Sequence, residues 1–364
     1  MKKSLIALAA LTAVAGTASA QSSVTLSGRV DLSLRSISAG GSSQKQMGSD
    51  GLQSSNIAFR GVEDLGGGLR AGFWLEAGLD ASIGTAGAAN GNYNASATNT
   101  GAAAAGPGAF FNRRATASLI GNFGEIRLGR DLTPSFMNFT SFDPFGTNGA
   151  GSATNLIEAG SPLGTGAQTF VRSNNTIHYF LPGGLGGLYG HLAVAAADNT
   201  AAGVPVGNAY RAVRLGYAAG PLNVSVATGK TTNGTGGADY THNGFGGSFA
   251  MGAARVMAQY NKMSGTIGGR GATNWLIGGA VTMGATDFRA SYQKTDGKGD
   301  TGWNKDATQI AAGAIHNLSK RTALYGTFSR ISNSNNGAFS HSGQRPAVAG
   351  GKSTAYEAGV RHNF

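Results

Sequence analysis

Apolar and polar residues alternate along many short segments of the chain. In the segment VTLSGRVDLSL, at residues 24–34, every valine and leucine occupies an even position, and the odd positions are polar. Successive side chains of a β-strand point to opposite faces of the sheet, so this pattern predicts a strand with one apolar and one polar face. The same period recurs at 222–228, 255–261 and 287–293. A β-rich fold follows.

The connections between these segments distinguish a membrane barrel from a soluble β-sandwich, which would also alternate. Short turns alternate with long polar loops, as in outer-membrane barrels with tight periplasmic turns and longer external loops. An even number of strands lets the first and last strands pair and leaves no sheet edge in lipid. We therefore predict an all-β, 16-stranded antiparallel transmembrane β-barrel, wide enough to hold an aqueous channel. Its strands lie near residues 24–36, 53–63, 69–80, 110–120, 124–131, 171–180, 187–196, 208–218, 221–230, 242–251, 253–262, 272–282, 284–294, 306–316, 320–330 and 354–364.

One connection, Leu132–Phe170, is far longer than an ordinary loop and has no period of its own. Loops of this length are either functional or disordered. Its first half carries four phenylalanines, more apolar anchoring than a solvated linker needs. We predict that it folds against the inner wall of the barrel and narrows the channel. For the Gly- and Ala-rich loop 82–109, flexibility and contact with a neighbouring subunit both remain open.

The first twenty residues have the features of an export signal. Lys2 and Lys3 precede a short apolar run, and Ala18-Ser19-Ala20 resembles a cleavage site. A membrane-spanning helix is the competing interpretation, but the apolar run is too short for it. We predict a signal peptide at 1–20 and a single β-barrel domain at 21–364. The chain has no cysteine, so an exported protein of this sequence folds without disulfides.

The chain is basic, with a net charge of +11 that becomes +9 when Lys2 and Lys3 are removed with the signal peptide. Because the basic residues are dispersed along strands, the sequence gives no indication of nucleic-acid binding and favours anionic solutes or surfaces. Six histidines are scattered without a metal-ligand spacing, and we predict no metal and no cofactor. The end of a phosphate-loop motif at 350–354 lacks its first glycine, and the glycine run at 183–190 lacks the third glycine of a dinucleotide fingerprint.

Several segments resemble the trimeric general porins of Gram-negative outer membranes, in the neisserial and beta-proteobacterial branch. The matching segments are SSVTLSGRVD at 22–31, FRGVEDLGGGLRAGFWLE at 59–76, FNRRATASLIGNFGEIRLGRDLTPSF at 111–136, RSNNTIHY at 172–179 and YEAGVRHNF at 356–364. The resemblance implies a third external loop folded into the lumen, a homotrimer in the outer membrane among lipid and lipopolysaccharide, and passive diffusion of small hydrophilic solutes. It also implies that the terminal Phe364 is read by the barrel-assembly machinery.

If the apolar parity faces lipid, the other parity lines the lumen. Arginine facing hydrocarbon at mid-depth would cost about 2–4 kcal/mol, so the arginines on these strands are expected inside. By resemblance, the basic wall of the constriction includes Arg29, Arg113 and Arg172, and we add Arg60 by parity. Further lumen-facing residues are Arg35, Arg70 and Asn56, the last at a position where the family commonly has arginine. The acidic counterpart is expected from the inserted loop, at Asp143 and Glu158.

A wall of cations in a narrow passage raises the local concentration of anions. The sequence thus predicts an outer-membrane porin that prefers anions and passes small anionic and neutral solutes. Two alternatives remain open: a channel specific for one anion, such as phosphate or an organic acid, and an outer-membrane barrel enzyme. No nucleophile-elbow motif is present, although a serine and a histidine on neighbouring strands need not be close in sequence.

Overall fold

The computed structural model describes residues 23–86, 110–157, 169–196, 208–233, 239–300, 302–341 and 348–364. These ranges contain one α-helix, α1 (Pro134–Ser141), and short 3-10 helices that include Ala153–Leu156 and Ile267–Gly269. The predicted signal peptide, loop 82–109 beyond residue 86, and Glu158 lie outside the described residues. The strands β1 to β18 are Ser23–Ala39, Ser42–Ser49, Asn56–Gly66, Leu69–Asp80, Thr85–Ala86, Arg114–Gly121, Gly124–Leu132, Arg172–Phe180, Leu188–Ala195, Asn208–Ala219, Leu222–Asn233, Tyr240–Met251, Ala254–Gly265, Gly271–Met283, Thr286–Lys298, Lys305–Asn317, Thr322–Asn335 and Lys352–Asn363.

The strands form one antiparallel sheet that closes on itself, because β18 pairs with β1. The first half of β1 pairs with β3 and its second half pairs with β2, so β2 and β3 share one position in the wall. The two-residue β5 pairs with the end of β4 and adds no position. Sixteen wall positions remain, which confirms the predicted sixteen-stranded barrel.

The second wall position differs from its predicted bounds near 53–63. Gly40 and Gly41, both with positive φ, allow β2 to follow β1 after a two-residue turn. Such turns need positive φ at both central residues and match the twist of the flanking strands. The chain then leaves the sheet between β2 and β3, where the buried carboxylate of Asp31 accepts hydrogen bonds from the backbone N–H groups of Leu52 (2.9 Å) and Gln53 (2.7 Å).

The two faces of the wall follow the predicted parity. On β1, Leu34 is 66% exposed on the outer face, whereas Asp31 and Ser33 are buried on the inner face. Large apolar side chains such as Val226, Tyr260 and Ile277 are exposed on later strands as well. On a protein in water this apolar surface would promote aggregation. In a bilayer it is the face that contacts the lipid chains. No helix in the described ranges is long and apolar enough to span a membrane.

The last residue takes part in closing the barrel. The backbone N–H groups of Gly28 and Phe364 each donate to the carbonyl oxygen of the other, at 3.1 and 3.0 Å. The ring of Phe364 lies so close to Gly28 that a Cβ there would be 2.5 Å from its Cζ. Along β18, Tyr356, Val360 and Phe364 are exposed on the outer face, as their parity predicts.

The apolar core lies inside the barrel, between the long loop and the inner face of the wall. Phe139 and Phe170, from the long loop, pack with Tyr240, Met263 and Leu276 from the inner faces of β12, β13 and β14. All five side chains are almost completely buried. The barrel therefore encloses a loop that it stabilises by apolar burial.

Candidate functional site in the barrel lumen

The loop between β7 and β8, residues 133–171 and here called the lumen loop, begins with a well-defined helix. The Oγ1 of Thr133 caps α1 by accepting a hydrogen bond from the N–H of Phe136 at 3.1 Å. Pro134 occupies the first turn, where its missing N–H is not needed. The helix ends at Ser141 and contacts the inner faces of β10, β11 and β12. The loop thus turns into the lumen directly after the fifth wall position.

Glycines on the inner face of the barrel make room for the lumen loop. A Cβ at Gly246 would lie 2.1 Å from Cδ2 of Phe142, and a Cβ at Gly278 would lie 2.8 Å from Cγ of Pro144. On β11, a Cβ at Gly229 would lie 2.5 Å from the Oγ of Ser135. Real Cβ atoms do not make contacts this short. These three glycines, here called the glycine bed, therefore allow the loop to lie flat against the wall.

Glutamine side chains on the wall bind the backbone of the lumen loop. The Nε2 of Gln309 donates to the carbonyl oxygens of Gly151 (3.2 Å) and Ser152 (3.1 Å). The Nε2 of Gln293 donates to the carbonyl oxygen of Ala153 at 2.8 Å. Buried carbonyl groups need such partners because water is excluded. The 3-10 helix is thereby fixed against β15 and β16.

The far side of the lumen loop is attached to the closing strand through Glu357. Its Oε2 accepts a hydrogen bond from the N–H of Ala150 at 2.9 Å, and its Oε1 forms an ion pair with Nε of Arg35 at 2.5 Å. The Oγ of Ser33 also donates to Oε1, at 2.9 Å. Glu357 is almost fully buried. Arg35, predicted to face the lumen, is on that side of the wall and holds this carboxylate in place.

Asp143 does not line the aqueous passage, so the expectation that it forms an acidic side of the constriction is wrong. Its side chain is buried and accepts hydrogen bonds from the backbone N–H groups of Phe145, Thr147 and Ala153, each at 2.9 Å. Burial raises the pKa of this carboxyl above its usual range, although the three N–H donors oppose the rise. Asp143 organises the turn after α1. Asp143 and Ala153 are ten positions apart in sequence, so no local pattern predicts the hydrogen bond between them.

The edge of the lumen loop that remains partly exposed is polar and uncharged. Thr140, Thr147 and Asn148 lie there, and the hydroxyl oxygens of the two threonines are 3.0 Å apart. Asn148 accepts a hydrogen bond from the Oγ of Ser54 at 2.9 Å. In the described part of the loop, the buried Asp143 is the only acidic residue. The loop edge therefore contributes amides and hydroxyls to the passage.

The opposite wall carries a cluster around Glu76 on β4. The Nε of Arg113 forms an ion pair with Oε1 of Glu76 at 2.6 Å, and Nδ2 of Asn56 donates to the same oxygen at 2.8 Å. The Nε of Arg172 donates to the carbonyl oxygen of Arg113 at 2.9 Å. Arg29 interacts electrostatically with both Glu76 and Arg113. The structure thus brings Arg29, Arg113, Arg172 and Asn56 together around Glu76.

A second cluster on the same wall surrounds the buried Asp131. Its Oδ1 forms an ion pair with Nε of Arg114 at 2.7 Å, and its Oδ2 pairs with Arg127. Arg127 also pairs with Glu125 at 2.9 Å. In the two clusters together, arginines outnumber carboxylates: Arg29, Arg113, Arg114, Arg127 and Arg172 face Glu76, Glu125 and Asp131. The wall retains net positive charge after these pairings.

Trp74 connects the two clusters with the periplasmic side. The guanidinium carbons of Arg60 and Arg114 lie 5.1 and 4.3 Å from the centroid of its ring, and its Nε1 donates to Oε2 of Glu76 at 3.2 Å. Cations over an indole face are stabilised by the ring quadrupole. Arg60 is therefore held beside the constriction wall. Arg70 is exposed at the start of β4, one turn away from β3, and belongs to the periplasmic mouth.

Sequence reasoning missed several charged residues of this site. Arg114 has the lumen parity of Thr116 and pairs across the sheet with Glu76, whereas Arg113 precedes β6. The strand predicted near 110–120 places Arg113 on the lumen face, and strict alternation then assigns Arg114 to the opposite face. Arg214 and Arg289, also missed, lie behind the lumen loop, where Arg214 donates to the Oγ of Ser141 at 3.0 Å. Parity within AVRLG at 212–216 and DFRASYQ at 287–293 contains this signal for Arg214 and Arg289.

The comparisons with known proteins agree with this architecture. The family model described as Gram-negative porin matches residues 7–336. The chain is 36% identical to outer membrane porin protein 32 of Delftia acidovorans, and the alignment covers all of both chains. Among solved structures, an anion-selective porin from Comamonas acidovorans matches with a TM-score of 0.78 and 31% identity, over 94% of this chain and all of that one.

A more distant match is limited to the fold. The trimer form of OmpT from Vibrio cholerae has a TM-score of 0.66 and 13% identity, over 94% of this chain and 99% of that one. A closed barrel, an outward apolar face and a loop folded into a basic lumen are present here together with the full-length sequence match. The chain therefore belongs to the Gram-negative porin family and is a pore-forming protein of the outer membrane.

Proposed function

We propose that the barrel is a passive diffusion channel for small hydrophilic solutes that favours anions. One arrangement carries this proposal: the arginine clusters around Glu76 and Asp131 lie on the wall opposite a lumen loop whose described edge is uncharged. In a narrow passage with low-dielectric walls, such an excess of fixed positive charge raises the local anion concentration. The Comamonas acidovorans relative, with 31% identity, is an anion-selective porin, and its selectivity supports this proposal.

The decisive experiment measures the zero-current potential in a salt gradient across a planar bilayer. The variant R29Q/R113Q/R172Q should shift this potential toward cation preference by a several-fold change in the permeability ratio. R321Q, at an exposed periplasmic turn, serves as the charge-loss control and should leave the potential unchanged. Heat-modifiable migration on SDS gels checks that both variants fold. An unchanged potential in the folded triple variant would remove these residues from the selectivity filter.

The same apparatus separates the general channel from a channel for one anion. A general porin conducts in proportion to salt concentration, whereas a specific channel saturates and is blocked by its own solute. Phosphate and a small organic acid are the solutes to titrate. We propose the general channel because the partly exposed loop edge offers scattered hydroxyls and amides.

We also propose that the chain acts without catalysis and assembles as a homotrimer. Its family members are porins, and an outer membrane protein with the same fold, OmpT of Vibrio cholerae, has been solved in a trimer form. Native mass spectrometry of the detergent-solubilised protein tests the trimer directly. A monomer under conditions that preserve the folded barrel would contradict it.

A further inference from the structure

A polar cavity of about 350 Å³ opens into the lumen between the lumen loop and the seam of β1 and β18. On the wall side it is lined by Ile37 and Ala355, which pair across the seam two residues nearer the external end than Arg35 and Glu357. Side chains and backbone within 147–155 of the lumen loop line the opposite side. The cavity, here called the seam pocket, therefore lies on the external side of the ion pair between Arg35 and Glu357.

Arg35 offers a free guanidinium nitrogen to the seam pocket. Its Nε forms the ion pair with Glu357 at 2.5 Å, and its Nη2 donates to the carbonyl oxygen of Ser49 at 2.6 Å. Its Nη1 makes no hydrogen bond with the described residues. Because Glu357 neutralises the guanidinium, Arg35 contributes a donor held in a fixed direction but little net charge.

Asp50 supplies a free carboxylate oxygen. The residue follows β2 and has a φ of 70°, in the left-handed region that aspartate tolerates better than most residues. Its Oδ1 accepts hydrogen bonds from the N–H of Ser55 at 2.6 Å and from the Oγ of Ser49 at 2.9 Å. Its Oδ2 makes no hydrogen bond with the described residues. Asp50, which lines the seam pocket, therefore contributes an acceptor that is held in place through its other oxygen.

The lumen loop adds uncharged polar groups. The Nδ2 of Asn155 donates to the carbonyl oxygen of Ala150 (2.9 Å) and to Oε1 of Gln309 (3.1 Å), so its Oδ1 remains an acceptor. The hydroxyl oxygens of Ser152 and Thr154 are 2.5 Å apart, and Thr154 is half-buried. The seam pocket thus combines a nitrogen donor, two oxygen acceptors and hydroxyl groups.

The charges around the seam pocket disfavour ions of either sign. An anion near Arg35 would meet the carboxylate of Asp50, and a cation near Asp50 would meet the guanidinium. A zwitterion gains little, because Glu357 already neutralises Arg35. A hydroxyl group both donates and accepts, so neighbouring hydroxyls of one solute can satisfy a donor and an acceptor together. The volume of the pocket is at the lower end of the range for small-molecule sites, about 300–1,000 Å³.

We propose that the seam pocket binds a neutral polyhydroxy solute of the size of a monosaccharide. This inference rests on the diffusion channel proposed above, because the solute reaches the pocket through the lumen. Binding is weak, since a site in a channel must release its solute as readily as it admits it. Thr147 and Asn148 line the pocket and also form the polar edge of the passage. A bound solute therefore lies beside the constriction and reduces the ion current.

The test is saturation-transfer NMR of D-glucose with the full-length folded protein in detergent, a measurement that does not require conduction. D50N keeps Oδ1 as the acceptor for Ser55 and replaces the free oxygen by an NH₂ group. One hydrogen bond to a charged acceptor is lost, so D50N should weaken glucose binding by about tenfold. T154F fills the pocket from the loop side and should abolish binding. D64N makes the same change beside an exposed periplasmic turn and should leave glucose binding unchanged.

Two further ligands distinguish the possible outcomes. Triethylene glycol is of similar size but has only two hydroxyls, and it should bind roughly tenfold more weakly than glucose. Glycine, a zwitterion, should fail to compete with glucose. Equal binding of glucose and triethylene glycol, or full competition by glycine, would overturn the proposal. So would unchanged glucose binding in the folded D50N and T154F variants.

Planar-bilayer recordings separate this proposal from the channel function. In the unmodified protein, glucose should add current noise that saturates as the glucose concentration rises, and D50N should remove most of that noise. Saturable glucose binding without any conduction would contradict the diffusion channel and support the seam pocket. Conduction with anion preference but without saturable glucose binding would contradict the seam pocket alone.

Discussion

The carboxylate of Glu357 accepts a hydrogen bond from the backbone N–H of Ala150, with 2.9 Å between N and Oε2, although the two residues are 207 positions apart in sequence. The neighbouring Gly149 leaves no space at this junction, because a Cβ there would lie 2.0 Å from the carbonyl oxygen of Gly51. One carboxylate therefore joins the lumen loop to the strand that closes the barrel. We therefore expect the width of the passage to depend on this connection.

Replacing this carboxylate by an amide should loosen the lumen loop. In E357Q, the side-chain amide must present an NH₂ group either to the N–H of Ala150 or to Arg35 and Ser33, so one donor is left facing another. Leaving a buried donor unsatisfied costs about 1–3 kcal/mol. We expect greater open-channel noise and a larger solute cutoff in liposome swelling. E63Q makes the same change at an exposed site, and equal behaviour of the two variants would show that the connection does not restrain the loop.

The glycine bed gives a second way to displace the loop, without changing any charge. G246A would place a methyl group 2.1 Å from the present position of Phe142, so the ring or the loop must move. Overpacking of this kind costs typically about 1–3 kcal/mol. We expect a lower temperature of heat-modifiable unfolding together with altered conductance. G326A is the matched control, since its nearest neighbour would be 3.9 Å away. If G326A also lowers the unfolding temperature and alters the conductance, the changes in G246A would reflect a general effect of alanine in these strands.

The wall of the barrel could be predicted from sequence, and the attachment of the lumen loop could not. Lipid requires an apolar side chain at every second position, so the faces of Val30 or Tyr260 follow from local parity alone. The contacts of Phe142 with Gly246, and of Ala150 with Glu357, join distant parts of the chain and leave no local pattern. A glycine in a strand has several explanations until its neighbour is known.

At the constriction, too, the sequence predicts which residues line the wall but not which residues they pair with. Parity placed Arg29 on the lumen side, and the resemblance to porins placed Arg113 and Arg172 near it. The partner of these arginines was expected from Asp143, because it lies in the inserted loop. The structure instead pairs Arg113 with Glu76 on the adjacent strand and buries Asp143 beneath the loop. A carboxylate in a loop sequence does not reveal whether it faces water or its own backbone.

His341, in the loop between β17 and β18, predicts a pH dependence. Its two ring nitrogens contact the hydroxyls of Ser353 (2.7 Å) and Ser329 (3.0 Å), and burial lowers its pKa to about 4. An unfolded histidine has a pKa near 6.5, so the open state binds the proton first and protonation favours opening. Stability of this loop is full above about pH 6.5 and falls as the pH decreases toward 4.

Between pH 7 and pH 5 we expect the free energy of opening this loop to fall by about 2 kcal/mol. Hydrogen exchange of the backbone amides around residues 337–341 should therefore accelerate at pH 5, after correction for intrinsic rates. H341Q, which can still bond both serines but does not titrate, should remove the effect. A persisting pH dependence in H341Q would assign it to other groups.

The reciprocal backbone hydrogen bonds between Gly28 and Phe364 close the lower end of the seam between the first and last strands. Because β18 and β1 are far apart in sequence, their contacts at this seam form late in assembly. The Phe364 ring covers Gly28 and is 46% exposed on the outer face, so it can also serve as the proposed recognition signal for the assembly machinery.

F364A should therefore act on assembly at two separable levels. Refolding into detergent tests the seam alone, and we expect it to become slower because the ring no longer packs on Gly28. Assembly in cells also tests recognition by the assembly machinery. The yield of folded barrel in the outer membrane should therefore fall by a larger factor than the refolding rate in detergent does. Y356A, an outward aromatic on the same strand, controls for loss of apolar surface. If F364A and Y356A reduce the cellular yield equally, the terminal position has no special role, since lost lipid contact would account for both.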